Sequence, residues 1–232
     1  MRWGVWWDAA DPAGLAAALV AGPDDIVVRA AAGPVEPSAD ASQALAAFQE
    51  RGGRLFAEIG PLGGSDPAPL VESLLTWAPD GLVLRAAVGK RDVQRLGAIL
   101  AVAEARRGRP DGGTAIVAAA ADAAAGALAL ASLPGCSPRL AGLFWDAGAL
   151  ADGLGCDRAA EPVRHARSGL LLAAAAAGVP AYACLSAGDP LPAGRDGFAG
   201  FWTRDLALMP SAGLRTPAGE SAGAGLRPAL DA

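Results

Sequence analysis

The strongest constraint on the fold is a regular alternation between short apolar runs and longer stretches with helical periodicity. This alternation is typical of βαβ units, in which parallel strands are connected through helices. Eight candidate strands occur, at residues 3–7, 26–29, 54–59, 81–85, 114–119, 142–146, 181–185 and 206–209. Eight strands that alternate with helical segments predict a closed α/β barrel.

Helix boundaries are marked by their usual residues. A helix is expected over about 91–107, because two arginines in its last turn and a following glycine and proline are C-terminal signals. A second is expected over about 161–177, closed by glycine and proline. Asp11 or Pro12 is expected to begin the first helix of the chain.

Composition restricts the class of protein. The chain has 232 residues, of which 53% are hydrophobic, enough for one large domain and too apolar for a disordered protein. It carries 19 basic and 24 acidic side chains without a basic block, which argues against nucleic acid as a partner. We expect one domain over residues 1–212 and a loosely ordered tail over 213–232, rich in Gly, Ala, Pro and Ser.

Location and partners follow from further features of the sequence. Residues 1–8 lack the apolar core of a signal peptide, and the apolar stretch 170–179 is shorter than the roughly 20 residues of a membrane span. The three cysteines are widely spaced and are expected to be buried, reduced thiols. A cytoplasmic protein without a membrane partner is therefore expected. Phe201 and Trp202 are the candidate for an exposed apolar patch at a subunit contact.

Several blocks of sequence resemble the citrate lyase β-chain-like branch of the HpcH/HpaI aldolase superfamily. They are the run SPRLAGLF at 137–144, LADGLG at 150–155, ARS at 166–168 and AAGVPA at 176–181. AGPDDIV at 21–27 and LALMPS at 206–211 extend the likeness. Their order and spacing cover about residues 2–211.

The resemblance implies a TIM (β/α)8 barrel whose site lies at the C-terminal ends of the strands. It also implies a magnesium ion and the cleavage or formation of a C–C bond in a CoA thioester or a 2-oxo acid. In such proteins a glutamate and an aspartate hold the metal and an arginine steadies the enolate-like carbonyl. Relatives often assemble as homo-oligomers.

When this sequence is compared with the family position by position, most of the family's metal-binding and substrate-binding residues are replaced. The metal glutamate corresponds to Asp122, and its partner aspartate corresponds to Ala149. The arginine of the third strand corresponds to Glu58, which reverses the charge. The acidic stretch after the second strand falls on residues 30–33, which read AAAG. The resemblance further implies that C-terminal helices covering the site are missing, because only about 20 residues follow the predicted last strand.

The residues themselves give a second view of the same region. Ionisable side chains stand at the ends of several predicted strands, where a parallel barrel would bring them to one mouth: Asp8, Arg29, Glu58, Arg85, Asp122 and Asp146. They fit a rebuilt site, with Asp146 replacing the missing metal ligand and Arg29 or Arg85 binding an anionic group. They also fit an ion-pair network of Arg29, Glu58 and Arg85 that fills an abandoned pocket, and this is the simpler interpretation because no pair of these residues has a diagnostic spacing.

Two functions therefore remain open. The first is a catalytically impaired relative of the lyases that binds a small anionic metabolite, an acyl-CoA or a partner subunit. The second is an active magnesium-dependent C–C lyase or aldolase with a rearranged site that uses Asp122, Asp146 and Glu58. Carboxylate oxygens of Asp122 and Asp146 within reach of one ion would favour the enzyme, and a salt-bridged mouth would favour the binding protein.

Overall fold

A computed structural model describes residues 1–29, 36–64, 66–187, 189 and 196–210. Its eight parallel strands form a closed barrel in sequence order, and the eighth strand pairs with the first. The predicted TIM (β/α)8 barrel is confirmed. The tail at 213–232 and the AAAG segment at 30–33 lie outside the described residues.

The strands and helices alternate along the chain. The strands are β1 (Arg2–Asp8), β2 (Asp25–Arg29), β3 (Arg54–Ile59), β4 (Gly81–Arg85), β5 (Ala115–Ala119), β6 (Leu140–Trp145), β7 (Ala181–Leu185) and β8 (Gly200–Thr203). The helices are α1 (Pro12–Val20), α2 (Ala39–Glu50), α3 (Ala68–Leu74), α4 (Lys90–Arg106), α5 (Ala124–Leu128), α6 (Ala147–Leu154) and α7 (Glu161–Ala177). Short 3-10 turns include Ala120–Asp122 after β5 and Leu206–Leu208 after β8.

Helix ends follow the local signals. Asp11 caps α1, and its carboxylate accepts a hydrogen bond from the backbone N–H of Gly14 at 3.0 Å. The helix predicted over 161–177 has those ends, and the one predicted over 91–107 is shifted by one residue, to Lys90–Arg106. Caps and terminators are local in sequence, so they carry this information without the tertiary fold.

The predicted eighth strand at 206–209 is wrong. The strand that closes the barrel is β8, Gly200–Thr203, whereas Leu206–Leu208 is a 3-10 turn capped by the side chain of Asp205. The physical reason is buried area, because Trp202 is fully buried and stacks on Tyr182 with ring centroids 4.9 Å apart.

The expected exposed patch at Phe201 and Trp202 is wrong for the same reason. These side chains are 5% and 0% exposed. Phe201 packs outward against Trp3, with ring centroids 5.8 Å apart, and Trp202 fills the barrel interior. Neither side chain is therefore exposed for contact with another subunit.

The interior of the barrel is filled mainly by large apolar side chains. The buried residues that line it are Trp6, Val27, Phe56, Val83, Val117, Ala119, Phe144, Tyr182 and Trp202. A larger cluster packs between the strands and the helices. The barrel is therefore a packed core, and ligands are restricted to its ends.

The N-terminal end of the barrel is closed by an ion-pair network around Asp25. This fully buried carboxylate accepts two hydrogen bonds from Arg54, each at 2.7 Å, and one from the indole N–H of Trp202 at 3.0 Å. Arg2 lies 3.0 Å from the same carboxylate. Such a paired, hydrogen-bonded charge is stable only while its partners stay in place.

Two further observations concern the whole described chain. No helix in its described part has both the length and the apolar character needed to cross a membrane. The three cysteines are free, but Cys156 is exposed and Cys136 and Cys184 are half-buried, so the expectation that all three are buried is wrong.

Candidate functional site at the barrel mouth

A ring of charged side chains lies one layer above the apolar interior. In a strand, residues two apart point to the same side. The positions two residues beyond interior-facing members of the strands are mostly charged: Asp8, Arg29, Glu58, Arg85, Asp146, Cys184 and Arg204. Strand geometry thus brings most of the predicted site residues to the C-terminal mouth of the barrel.

Arg85 is the centre of this ring. Its Nε lies 2.7 Å from Oδ2 of Asp122, and its Nη2 lies 3.0 Å from Oδ2 of Asp146. Its Nη1 faces Oε2 of Glu58 at 3.9 Å. Burial would lower the pKa of the guanidinium, but the three carboxylates more than offset this and raise it. Arg85 is therefore a fixed positive charge held between three carboxylates.

Arg29 and Glu58 extend the cluster towards β2. Nε of Arg29 lies 3.7 Å from Oε1 of Glu58, and the side chain of Arg29 is 44% exposed. The ion-pair network expected from Arg29, Glu58 and Arg85 is present, although both of its contacts are long. The shorter contacts of Arg85 are those with Asp122 and Asp146.

Asp122 is held in place by the turn that follows β5. The 3-10 turn Ala120–Asp122 brings its side chain to the mouth, where it is 4% exposed. Burial raises the pKa of Asp122 to about 7; the charge of Arg85 opposes this shift, and that of Asp146 adds to it. Its Oδ1 is buried and has no hydrogen-bond partner among the described residues. Asp122 thus retains an open oxygen and titrates near neutral pH.

Asp146 has two structural partners. As the N-cap of α6, its Oδ1 accepts a hydrogen bond from the backbone N–H of Ala149 at 3.1 Å. Its Oδ2 accepts one from Arg85 at 3.0 Å. Both oxygens are therefore engaged by groups of the protein.

These contacts do not fit a magnesium site. Mg²⁺ requires octahedral oxygen ligands at about 2.0–2.1 Å. Here a guanidinium already lies between the carboxylates of Asp122 and Asp146, and Ala149 supplies no oxygen from its side chain. Among the described residues, no group of three or more His, Cys, Asp or Glu side chains is arranged to hold a metal ion. In the folded chain, the carboxylates of Asp122 and Asp146 are arranged around Arg85.

A cavity of about 280 Å³ lies beside this cluster. It lies between the ends of β1, β2 and β8 and helix α1, and its wall includes Trp6, Trp7, Arg29 and Arg204. The guanidinium of Arg204 lies over the ring of Trp6, 5.3 Å from its centroid. Asp8 and Asp11 are also at its wall, and the carboxylate of Asp8 accepts a hydrogen bond from the N–H of Ala10. This volume is close to the lower end of small-molecule sites.

Sequence reasoning missed Arg204 and Cys184. Arg204 directly follows β8, and its place at the mouth was hidden because the eighth strand was assigned to 206–209. The run GFWT at 200–203, with three β-prone residues in succession, was the available signal. Burial raises the pKa of the Cys184 thiol to about 11, with a further contribution from Asp146.

Several polar atoms at the mouth lack partners. Within the described part of the chain, buried atoms without a hydrogen bond include Nε1 of Trp6, Nη1 of Arg85, Oε2 of Glu58 and Oδ1 of Asp122. Two are donors and two are acceptors. Unsatisfied buried groups of this kind are rare and mark places where a water or a ligand can bind.

The eight strands and their helices define a TIM (β/α)8 barrel with a charged C-terminal mouth. Among solved structures, RipC from Yersinia pestis has 22% identity and a TM-score of 0.64, with 92% of this chain and 97% of that chain covered. The citrate lyase β-subunit of Mycobacterium tuberculosis, complexed with oxaloacetate and magnesium, has 23% identity and a TM-score of 0.64. The match covers 90% of this chain and 93% of that chain. An HpcH/HpaI aldolase from Desulfitobacterium hafniense has 16% identity and a TM-score of 0.66. The match covers 89% of this chain and 87% of that chain.

These similarities extend over nearly all of both chains, and at such identities they show the fold. The fold implied by the sequence resemblance is therefore confirmed. No family model and no curated protein matched the sequence.

Proposed function

We propose that this protein is a catalytically reduced relative of the citrate lyase β and HpcH/HpaI aldolase barrels that binds a small anionic metabolite at the mouth of its barrel. The observation that carries the proposal is the cavity beside Trp6, with Arg29 and Arg204 at its wall. Both arginines line the cavity, and charge-assisted hydrogen bonds from arginine are well suited to carboxylate and phosphate groups.

The electrostatics of the two arginines support this ligand class. Arg29 is 44% exposed, and its ion pair with Glu58 is long, at 3.7 Å. Arg204 is exposed and has no ion pair within 4.0 Å among the described residues. Arg85, by contrast, is committed to Asp122 and Asp146. An incoming anion would therefore meet Arg29 and Arg204 first.

The size of the cavity restricts the ligand further. About 280 Å³ accommodates a small carboxylic acid or the acyl end of a larger molecule. One similar structure is complexed with oxaloacetate and magnesium, and another with magnesium, acetoacetate and coenzyme A. Oxaloacetate, acetoacetate and an acyl-CoA ester are accordingly the first compounds to test on this chain.

Tryptophan fluorescence provides a direct assay, since Trp6 and Trp7 line the cavity. Each compound is titrated into the full chain with EDTA and, separately, with Mg²⁺. We expect saturable binding with equal affinity in both buffers. Arg29→Met and Arg204→Met should each weaken binding about tenfold or more. Arg51→Met is the matched control, because Arg51 follows α2 at the other end of the barrel and is exposed. Absence of binding by calorimetry as well would contradict the proposal.

A magnesium-dependent lyase is the second candidate. It is favoured by the open Oδ1 of Asp122, a hard carboxylate oxygen of the kind that Mg²⁺ binds. Binding that occurs only with Mg²⁺, or cleavage of a CoA thioester or 2-oxo acid by the wild-type chain, would support this function over the first.

A further inference from the structure

We propose that the guanidinium of Arg85 is a built-in replacement for a divalent cation, and that it masks a latent metal site formed by Glu58, Asp122 and Asp146. This inference goes beyond ligand binding, and its test requires no metabolite.

The geometry around Arg85 resembles the surroundings of a bound cation. Its three nitrogens each face a different carboxylate, at 2.7, 3.0 and 3.9 Å. These carboxylates come from β3, from the turn after β5 and from the end of β6, so only the closed barrel brings them together. Three convergent carboxylates without a cation would repel one another strongly in this buried position.

Two of the three carboxylates retain an oxygen without a hydrogen-bond partner among the described residues. Oδ1 of Asp122 is buried without a hydrogen-bond partner in the described chain, and so is Oε2 of Glu58. The Asp122 side chain is only 4% exposed, so water compensates it poorly. If the guanidinium is removed, at least two hard oxygen atoms and the vacated volume become available to an ion.

The size of the guanidinium determines which ion fits best. Oxygens bound around a planar guanidinium stand further apart than oxygens around Mg²⁺, which holds them at about 2.0–2.1 Å. Ca²⁺ accepts longer distances of about 2.3–2.6 Å, more flexible geometry and several water ligands. Ca²⁺ and the similar ion Tb³⁺ should therefore bind a variant without Arg85 more readily than Mg²⁺.

The position of Trp6 allows fluorescence to report where a Tb³⁺ ion binds. The guanidinium carbon of Arg85 lies 5.8 Å from the centroid of the Trp6 ring. A Tb³⁺ ion at that place would be excited by energy transfer from tryptophan and would emit strongly. Weaker emission from Arg85→Ala/Trp6→Phe than from Arg85→Ala would localise the ion to the mouth.

The experiment compares the full wild-type chain with Arg85→Ala. We expect tryptophan-sensitised Tb³⁺ emission to be about tenfold higher for R85A. Its ratio of folded to unfolded chain should rise about 100-fold when free Ca²⁺ reaches about 100 times its dissociation constant. Wild type should show neither response, and EDTA should not change its unfolding midpoint.

Two further variants separate metal binding from general destabilisation. Arg85→Ala/Asp122→Asn removes one ligand, so it should fold better than R85A without ions and lose the response to Ca²⁺. Arg54→Ala also removes an arginine from a buried aspartate, but Asp25 keeps its ion pair with Arg2, so no response to ions is expected.

Three outcomes would overturn the inference. They are Tb³⁺ emission in wild type equal to that of R85A, an R85A chain that folds but ignores Ca²⁺ and Tb³⁺, and an R85A chain that stays unfolded at saturating Ca²⁺ while R85A/D122N folds. If the ions bind as expected but wild type binds no anion, the inference stands and the proposed function fails.

Discussion

The guanidinium of Arg85 and the carboxylate of Asp122 lie 2.7 Å apart, Nε to Oδ2, at the end of the barrel where this class of fold places its sites. The contact joins the last residue of β4 to the turn after β5, two segments that are neighbours because β4 and β5 pair as adjacent parallel strands. It changes what Asp122 can do, since an oxygen paired with arginine is not free to bind a metal. The other oxygen of Asp122 remains open.

The titration of Asp122 predicts an unusual pH dependence of stability. Its pKa is raised from 3.8 to about 7, chiefly by burial. The folded chain therefore holds this proton more tightly than the unfolded chain. The stability that the proton contributes is present in full below about pH 4 and is lost as the pH rises through about 7.

Asp122→Asn tests this dependence. Asparagine does not titrate, so the unfolding free energy of D122N relative to wild type should increase from about pH 5 to pH 7, by at most about 1.4 kcal/mol per pH unit. Urea unfolding at several pH values measures the difference. Asp152→Asn, on the exposed face of α6, is the control and should follow wild type. A constant difference for D122N would show that Asp122 is ionised throughout.

Glu58→Gln should strengthen anion binding at the mouth. Glu58 is the ion-pair partner of Arg29, and its charge opposes any anion in the neighbouring cavity. Removing that charge should improve binding by about 1 kcal/mol, or roughly fivefold. Calorimetry with the anion found by fluorescence measures the change. Glu72→Gln, in an exposed pair with Arg106 on the helices, should leave the affinity unaltered; weaker binding by E58Q would mean that Glu58 contacts the ligand directly.

Asp25→Asn should destabilise the fold. The carboxylate is fully buried, and its loss leaves Arg54 without a counter-charge. We expect a cost of about 3–5 kcal/mol in unfolding free energy, measured with urea. The exposed pair Arg164–Glu161 is the comparison, because Glu161→Gln should cost no more than about 1 kcal/mol. Equal effects of the two substitutions would contradict the role of Asp25 at the closed end.

Gly126→Ala should disturb the turn that holds Asp122. A Cβ on Gly126 would overlap the carbonyl oxygen of Ala120 and lie 2.5 Å from that of Ala87. Backbone atoms cannot yield as a flexible side chain does, so we expect destabilisation of about 2 kcal/mol or more. Gly153→Ala in α6 has no heavy atom within 4 Å of its Cβ and should be neutral or stabilising by up to about 1 kcal/mol. Thermal unfolding of both variants distinguishes them.

Much of the fold was predictable because its signals are local. The apolar runs, the helix terminators and the Asp11 cap each act within a few residues, so seven of the eight strands were found in their places. The eighth was missed because two short apolar runs, 200–203 and 206–209, competed for it. Only the barrel decides between them, since Trp202 fits between Phe144 and Tyr182 in the interior.

The sequence by itself determined that charged residues end successive parallel strands, and strand periodicity is sufficient to bring Arg29, Glu58, Arg85 and Asp146 to one mouth. Only the tertiary structure decided how they pair. Arg85 binds Asp122 and Asp146 at hydrogen-bonding distance and leaves Arg29 and Arg204 to the cavity. The physical reason is that ion pairing depends on distances of a few ångströms between side chains far apart in the chain, which no sequence spacing specifies.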